Sequence, residues 1–201
     1  MTDKNIAGQI KNSLTFIRKL HFEISYLLKE IEGMLIEEEE RFTILKGGGY
    51  SVIARTSTSL DSWGPNYWMP NDFSVFFSDE SFVENDKGIT VTKVNKDLKV
   101  LFLHIKIIEQ DLNEPKIYFG YINNIGSKKS SNSKVEHMLW EFTYSGSKII
   151  FEKDKIIEYS DSRWNFTGEY LKRDLLSINS SKDIKSKIVD PLLKLYRSSN
   201  K

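Results

Sequence analysis

Isoleucine recurs at every seventh position in the first forty residues, and a second series lies four residues behind it. The two series are Ile10, Ile17, Ile24 and Ile31, followed by Leu14, His21, Leu28 and Leu35. This spacing places both series on one side of an α-helix, with isoleucine at heptad position d and leucine at position a. We call this side the heptad face. It predicts one long amphipathic helix over residues 1–41, in which His21 is the single polar interruption.

The heptad face is compatible with two different partners. Leu20, Leu27 and Met34 lie beside it and widen the apolar surface. A surface this wide suits burial against a sheet or several helices better than a two-stranded coiled coil. If the helix self-associates instead, leucine at a with isoleucine at d favours oligomers larger than a dimer. We therefore expect residues 1–41 to pack on a sheet of the same domain or to mediate oligomerisation.

The segment "KGGGY" ends the helical pattern, and strand patterns follow it. The predicted strands cover residues 50–56, 73–77, 89–94, 99–108, 117–122 and 137–145, and two more lie within 148–159 on either side of a turn at "EKDK". The run "KVLFLHIKII" within 99–108 has apolar residues on both faces, which predicts a central strand covered on both sides. We expect it to form a hairpin with 89–94 and to pair with 117–122 on its other edge.

The last part of the chain reads as helical. We expect a short helix that includes residues 170–175, followed by a final helix that begins after "SSKD" (180–183), a sequence that resembles a capping box. Because the strands are grouped and do not alternate with helices, the fold class is α+β. We expect a mainly antiparallel sheet of about six to seven strands with C-terminal helices.

Composition limits the class of protein. A chain of 201 residues with 39% hydrophobic residues fits one globular domain, 1–201. The net charge of +1 gives no general attraction to polyanions. With no cysteine, disulfides and cysteine zinc sites are excluded. No run approaches the ~18–20 apolar residues that span a bilayer, so we expect a cytoplasmic protein without membrane contact.

The segment "LDSWGPNYWMPNDF" (60–73) carries aromatic residues but has neither helical nor strand periodicity. Its candidate binding residues are Trp63, Tyr67 and Trp68. Long irregular loops in compact domains are often functional, whereas buried tryptophans fill cores. Two interpretations remain open: the aromatics close the end of the core, or they form an exposed platform for a partner or ligand.

His104 and Lys106 share one face of the predicted central strand. A lysine in an apolar strand must reach solvent, pair with a carboxylate or line a cavity. In the last case the pair, together with the tryptophan segment, would line the pocket of a small-molecule sensor, between the sheet and the helix. His21 either faces the same layer or is an ordinary core histidine.

Two further patterns suggest nucleic-acid chemistry. Glu114 and Lys116 have the E-x-K spacing of metal-dependent nucleases, in which an additional acid, here Asp111 or Asp72, would help bind Mg²⁺. Pro115 argues against this interpretation because proline is disfavoured in internal strands. The basic segment 182–201 would bind nucleic acid, or it is simply a solvated helix end.

No hydrolase, zinc-protease or dinucleotide-binding fingerprint occurs in the sequence. The favoured hypothesis is a non-enzymatic binding or assembly protein without a cofactor. It would act through the helix and the aromatic loop on a protein partner or on its own copies. The alternatives are a Mg²⁺-dependent nuclease or nucleic-acid-processing subunit, and a small-molecule sensor.

Overall fold

A computed structural model describes most of the chain, with several gaps. The described residues are 3–45, 52–54, 72–82, 84–86, 89–91, 97–107, 114–127, 135, 138–139, 142, 151 and 155–199. Within them, a long N-terminal helix, an antiparallel sheet and C-terminal helices follow one another along the chain, which confirms the α+β class. The predicted site residues Trp63, Tyr67, Trp68 and Asp111 lie outside the described residues.

Helix α1 spans Asp3–Ile36 and therefore ends before the predicted boundary at residue 41. Four consecutive glutamates follow its last residue. Carboxylates oppose the negative end of the helix dipole, which disfavours extending the helix through them. Arg41 then takes a left-handed conformation, with φ of 47°, and turns the chain into the first strand.

Nine strands are described, and seven of them form one sheet. They are β1 (Phe42–Ile44), β2 (Val52–Ala54), β3 (Asp72–Asp79), β4 (Glu84–Asp86), β5 (Ile89–Val91), β6 (Val100–Lys106), β7 (Lys116–Ser127), β8 (Ile156–Ser160) and β9 (Trp164–Asp174). The sheet order is β1-β3-β6-β7-β9-β8, with β2 also paired to β3, and every pairing is antiparallel. Strands β4 and β5 pair with each other.

Strand β6 is central, and all seven of its residues are buried. On one face of the sheet, Leu101 and Leu103 belong to a core shared with the C-terminal half of α1 and the C-terminal helices. On the other face, Phe102 belongs to a second core that includes Met138 and Phe142. The predicted two-sided cover of this strand and its pairing with 117–122 are both confirmed.

The C-terminal helical region consists of α2 (Ser181–Ile184), a π-helical turn (Lys185–Val189) and α3 (Asp190–Ser198). The Ser180 side chain accepts a hydrogen bond from the Asp183 backbone N–H. The Asp183 carboxylate in turn accepts one from the Asn179 backbone N–H, at 3.2 Å. The Ser180 half of the capping box predicted from "SSKD" is therefore present, whereas the aspartate bonds the backbone of Asn179 and not that of the N-cap residue.

The predicted hairpin between 89–94 and 99–108 is wrong. Strand β5 pairs with β4, and the neighbours of β6 are β3 and β7. The predicted helix around 170–175 is also wrong, because β9 continues to Asp174. In β9 the burial alternates from residue to residue between Trp164 and Tyr170, which is the period of a strand. The apolar residues near 170–175 are also spaced as in a helical turn, and this spacing led to the wrong prediction.

The predicted strand over 137–145 is contradicted as well. The described residues Val135, Met138, Leu139 and Phe142 have helical backbone, and all four are buried. Their spacing of three, four and seven residues is that of one helical face. The aromatic residues in this segment favoured a strand, but packing on the sheet face that carries Phe102 selects the helix.

We predict that Gly120→Ala destabilises the fold by about 3 kcal/mol or more, as severe overpacking does. Gly120 faces Tyr170 across β7 and β9, and a Cβ there would overlap the Glu169 carbonyl oxygen. The control is Gly33→Ala, since Gly33 lies in α1 and a methyl group added to it would meet no atom within 4 Å. That change should add roughly 0.5–1 kcal/mol to the free energy of unfolding. Urea denaturation measures both, and an unchanged stability of Gly120→Ala would contradict the close strand approach.

Candidate functional site

The N-terminal half of α1 exposes apolar side chains to solvent. Residues 5–16 are all exposed. Ile6, Ile10 and Leu14 keep 43%, 56% and 57% of their surface in contact with solvent. Farther along the same heptad face, Ile24 and the leucine and isoleucine residues that follow it are buried against the sheet. One apolar face is therefore covered at one end of the helix and uncovered at the other.

An uncovered helix of this kind requires another source of stability. Short isolated helices are marginal in water, and helices in proteins draw most of their stability from packing of an apolar face. Residues 5–20 contain Lys11, Arg18 and Lys19 and no acidic residue. The exposed half of α1 is thus an apolar stripe beside a basic surface, and it fits an interaction surface better than a catalytic site.

A cavity of about 220 Å³ lies where α1 meets the sheet. Its apolar lining includes Ile24, Leu28 and Val75, and an ion pair between Lys29 and Glu32 lies on its rim. The lining also includes His21, whose ring contacts Phe73 edge-on at 5.5 Å between centroids. Phe73 belongs to the face of the sheet that packs on α1. His21 therefore does not share a layer with His104, which lies on the opposite face.

His104 and Lys106 lie together in a buried polar cluster on that opposite face, as the strand alternation predicts. His104 is fully buried, and its Nδ1 atom is 2.8 Å from the Ser74 hydroxyl. Phe151 stacks on the His104 ring at 5.4 Å, and the Lys106 ammonium lies 6.0 Å from the centroid of the same Phe151 ring. Lys106 is only 8% exposed, so it does not simply extend into solvent.

Burial is the main cause that lowers the pKa of His104, to about 3, and repulsion from Lys106 adds to it. The imidazole is therefore neutral at pH 7, with one donor and one acceptor nitrogen. Ser74 engages one of them, while Nε2 has no hydrogen-bond partner among the described residues. A ligand-binding role for His104 and Lys106 remains a prediction, and its suggested third component, the tryptophan segment, lies outside the described part of the chain.

We predict that the free energy of unfolding falls as the pH drops from 6.5 towards 3. The unfolded chain binds a proton at His104 below pH 6.5, while the native state binds it only near pH 3. Each unit of separation between the two pKa values is about 1.4 kcal/mol. In His104→Gln the pH slope in this window should be shallower, measured by urea denaturation. His21→Gln is the matched control, and equal slopes in wild type and His104→Gln would contradict the prediction.

Glu114 and Lys116 meet at the start of β7, but the third member of their group is Asp174 of β9. The Lys116 ammonium contacts the Asp174 carboxylate and lies 3.7 Å from the Glu114 carboxylate. The hydrogen bond to Asp174 is the main reason that the pKa of Lys116 is raised. Sequence reasoning missed Asp174 because only the pairing of β7 with β9 places it opposite Lys116.

This group has the geometry of a surface ion-pair network. The ammonium stands between the two carboxylates and neutralises them, and both carboxylates are about half exposed. Among the described residues, no three histidine, aspartate or glutamate side chains are placed to hold a metal ion together. The suggested second acid, Asp111, lies outside those residues, and for Asp72 only the backbone is described.

The basic segment 182–201 is partly neutralised by acidic residues of the same chain. Arg197 binds both oxygens of Glu40 at 2.8 Å and Glu38 at 3.0 Å. The hydrogen bond from Arg197 lowers the pKa of Glu40. Lys187 pairs with Asp183 at 2.7 Å. The Arg197 contacts connect the last helix to the residues that follow α1, which favours a structural role for this arginine.

We predict that Arg197→Gln lowers the free energy of unfolding by about 1 kcal/mol, since the network is bidentate but partly exposed. The loss should shrink at high salt, because added ions screen partly exposed charges. Lys194→Gln is the matched control, as it removes an exposed cation from the same helix. Denaturation at low and high salt measures both variants, and equal small losses would show that the Arg197 contacts add nothing specific.

A scan against models of protein families, a search of curated proteins and a search of solved structures each gave no match. None of the helices in the described ranges combines the length and apolar character needed to cross a membrane.

Proposed function

We propose that this chain is a non-enzymatic assembly protein that self-associates through the N-terminal half of α1. The observation that carries the proposal is the division of the heptad face. Its C-terminal half is buried on the sheet of the same chain, whereas Ile6, Ile10 and Leu14 are left in water. The apolar spacing is the same in both halves, so the exposed half has the pattern of a helix–helix interface.

The local chemistry supports association more than catalysis or ligand entry. The exposed stripe presents aliphatic side chains, and residues 5–20 contain neither an acid nor a histidine. Covering aliphatic surface removes it from water, which is the dominant favourable contribution in most protein association. The aromatic loop with Trp63 and Trp68, which the sequence suggested as a second contact, lies outside the described residues, so the helix alone carries the proposal.

The test is sedimentation velocity of the intact chain over a wide concentration range. We expect the average mass to rise above the monomer mass of 23.4 kDa as the concentration increases. The double variant Ile10→Asp with Leu14→Asp should remain monomeric, because two carboxylates in an apolar interface carry a large desolvation cost. Both positions are exposed in the isolated chain, so the fold should survive the substitutions.

The matched control is Asn12→Asp with Thr15→Asp, which adds the same charge on the opposite side of α1. This variant should associate as the wild type does. Circular dichroism checks that both variants are folded. A substitution at Ile24 would not serve, because that side chain is 3% exposed and its loss would disturb the core. A wild-type chain that stays monomeric at every concentration would overturn the proposal.

A further inference from the structure

The neighbour of the heptad face changes near Leu20. Up to Leu14 the face is exposed, and from Ile24 onward it packs against Val75 and Leu103 of the sheet. Ile17 and Leu20 are half-buried at the boundary. Since the heptad spacing is continuous, the sheet lies on the same side of the helix that is uncovered in the first half. Any second helix that packs on the exposed half therefore lies on the same side of α1 as the sheet, next to the end of the sheet.

This arrangement distinguishes between the two orientations of a second helix. In a parallel pair, residues 21–36 of the second copy would run along the heptad face beyond Leu20, where the sheet of the first copy already lies. In an antiparallel pair, the second helix continues beyond the N-terminus of the first. The sheet of the second copy then lies at the far end of the pair, away from the sheet of the first copy. Parallel pairing would thus require the two helices to separate at residue 20, whereas antiparallel pairing requires no change.

We infer that two copies of this chain associate antiparallel through residues 3–20 of α1, an inference that rests on the proposed self-association. Reversing one helix places position a of one copy against position d of the other. Ile10 then packs against Leu14 of the second copy, and Ile17 packs against Ala7 of the second copy. A register one heptad longer would drive the second helix into the sheet, and one heptad shorter would remove about seven residues from the overlap.

The length of the contact sets its strength. Eighteen helical residues span about 27 Å, at 1.5 Å per residue. A single helix pair of this length lies at the small end of specific interfaces, which usually bury at least about 1,000 Å² in total. The dimer should therefore be concentration-dependent. Leucine at a with isoleucine at d favours oligomers larger than a dimer in parallel bundles. The position of the sheet disfavours parallel pairing, so this preference does not apply here.

Charge adds an independent signature. The Lys11 side chains of the two copies face each other near the twofold axis, and residues 5–20 supply no acid to compensate them. Like charges on neighbouring helix positions destabilise the pair modestly. The screening length falls from about 10 Å at 0.1 M salt to about 3 Å at 1 M salt. The dimer should therefore tighten as salt is added, whereas binding of the same basic stripe to an acidic partner would weaken.

The absence of cysteine from the sequence allows a direct test of orientation. Full-length Ala7→Cys and Ile17→Cys chains, one of them isotope-labelled, are treated with a short bismaleimide cross-linker, separately and mixed. In the antiparallel dimer, position 7 of one copy is adjacent to position 17 of the other across the interface. By contrast, position 7 of one copy lies about 15 Å along the helix axis from position 7 of the other, at 1.5 Å per residue, and the same holds for position 17. We expect cross-linked dimer in the mixture and almost none from either variant alone.

The other outcomes separate the two proposals. Cross-linking of each variant with itself would show parallel pairing, which overturns the orientation and leaves self-association intact. An oligomer by sedimentation with no cross-link in any sample would place the interface elsewhere and overturn both the orientation and the role of this helix. A monomer at low and high salt would overturn self-association itself.

Discussion

The two-sided burial of β6 is the constraint on which the rest of the structure depends. The strand is hydrogen-bonded to β3 and β7 and has no exposed residue. A strand of this kind requires a cover on each face of the sheet. Helix α1 and the C-terminal helices supply one cover, and residues with helical backbone, among them Met138 and Phe142, contribute to the other. Because the strand is enclosed, the polar residues His104 and Lys106 are enclosed with it.

Periodicity predicted the elements whose pattern had one interpretation. The heptads identified α1, and apolar residues on both faces identified β6 as central. It failed where short segments fit two periods. Met138, Leu139 and Phe142 suit one helical face as well as an aromatic strand, and only packing on the sheet decides between them. The same ambiguity concealed the strand around Tyr170, whose partner β7 is distant in sequence.

The candidate sites show a similar division. Alternation along one strand was enough to place His104 and Lys106 side by side, because both belong to the same element. The contact of Asp174 with Lys116 and that of Glu40 with Arg197 join residues far apart in the chain. Such contacts depend on strand register and helix placement, which local sequence does not encode in readable form. Likewise, the heptad spacing does not indicate where along α1 the contact with the sheet ends, since the spacing is the same on both sides of His21.

The continuity of α1 also constrains how its length can vary. The exposed and buried stripes lie on one unbroken helix, so their relative azimuth is set by the number of residues between them. A helix turns by about 100° per residue, from 3.6 residues per turn. A single inserted residue between Ile17 and Ile24 would therefore rotate the free stripe by more than a quarter turn relative to the sheet. Seven inserted residues would change the azimuth by only about 20°. Length changes in this helix that preserve the arrangement of its two stripes should accordingly come in whole heptads.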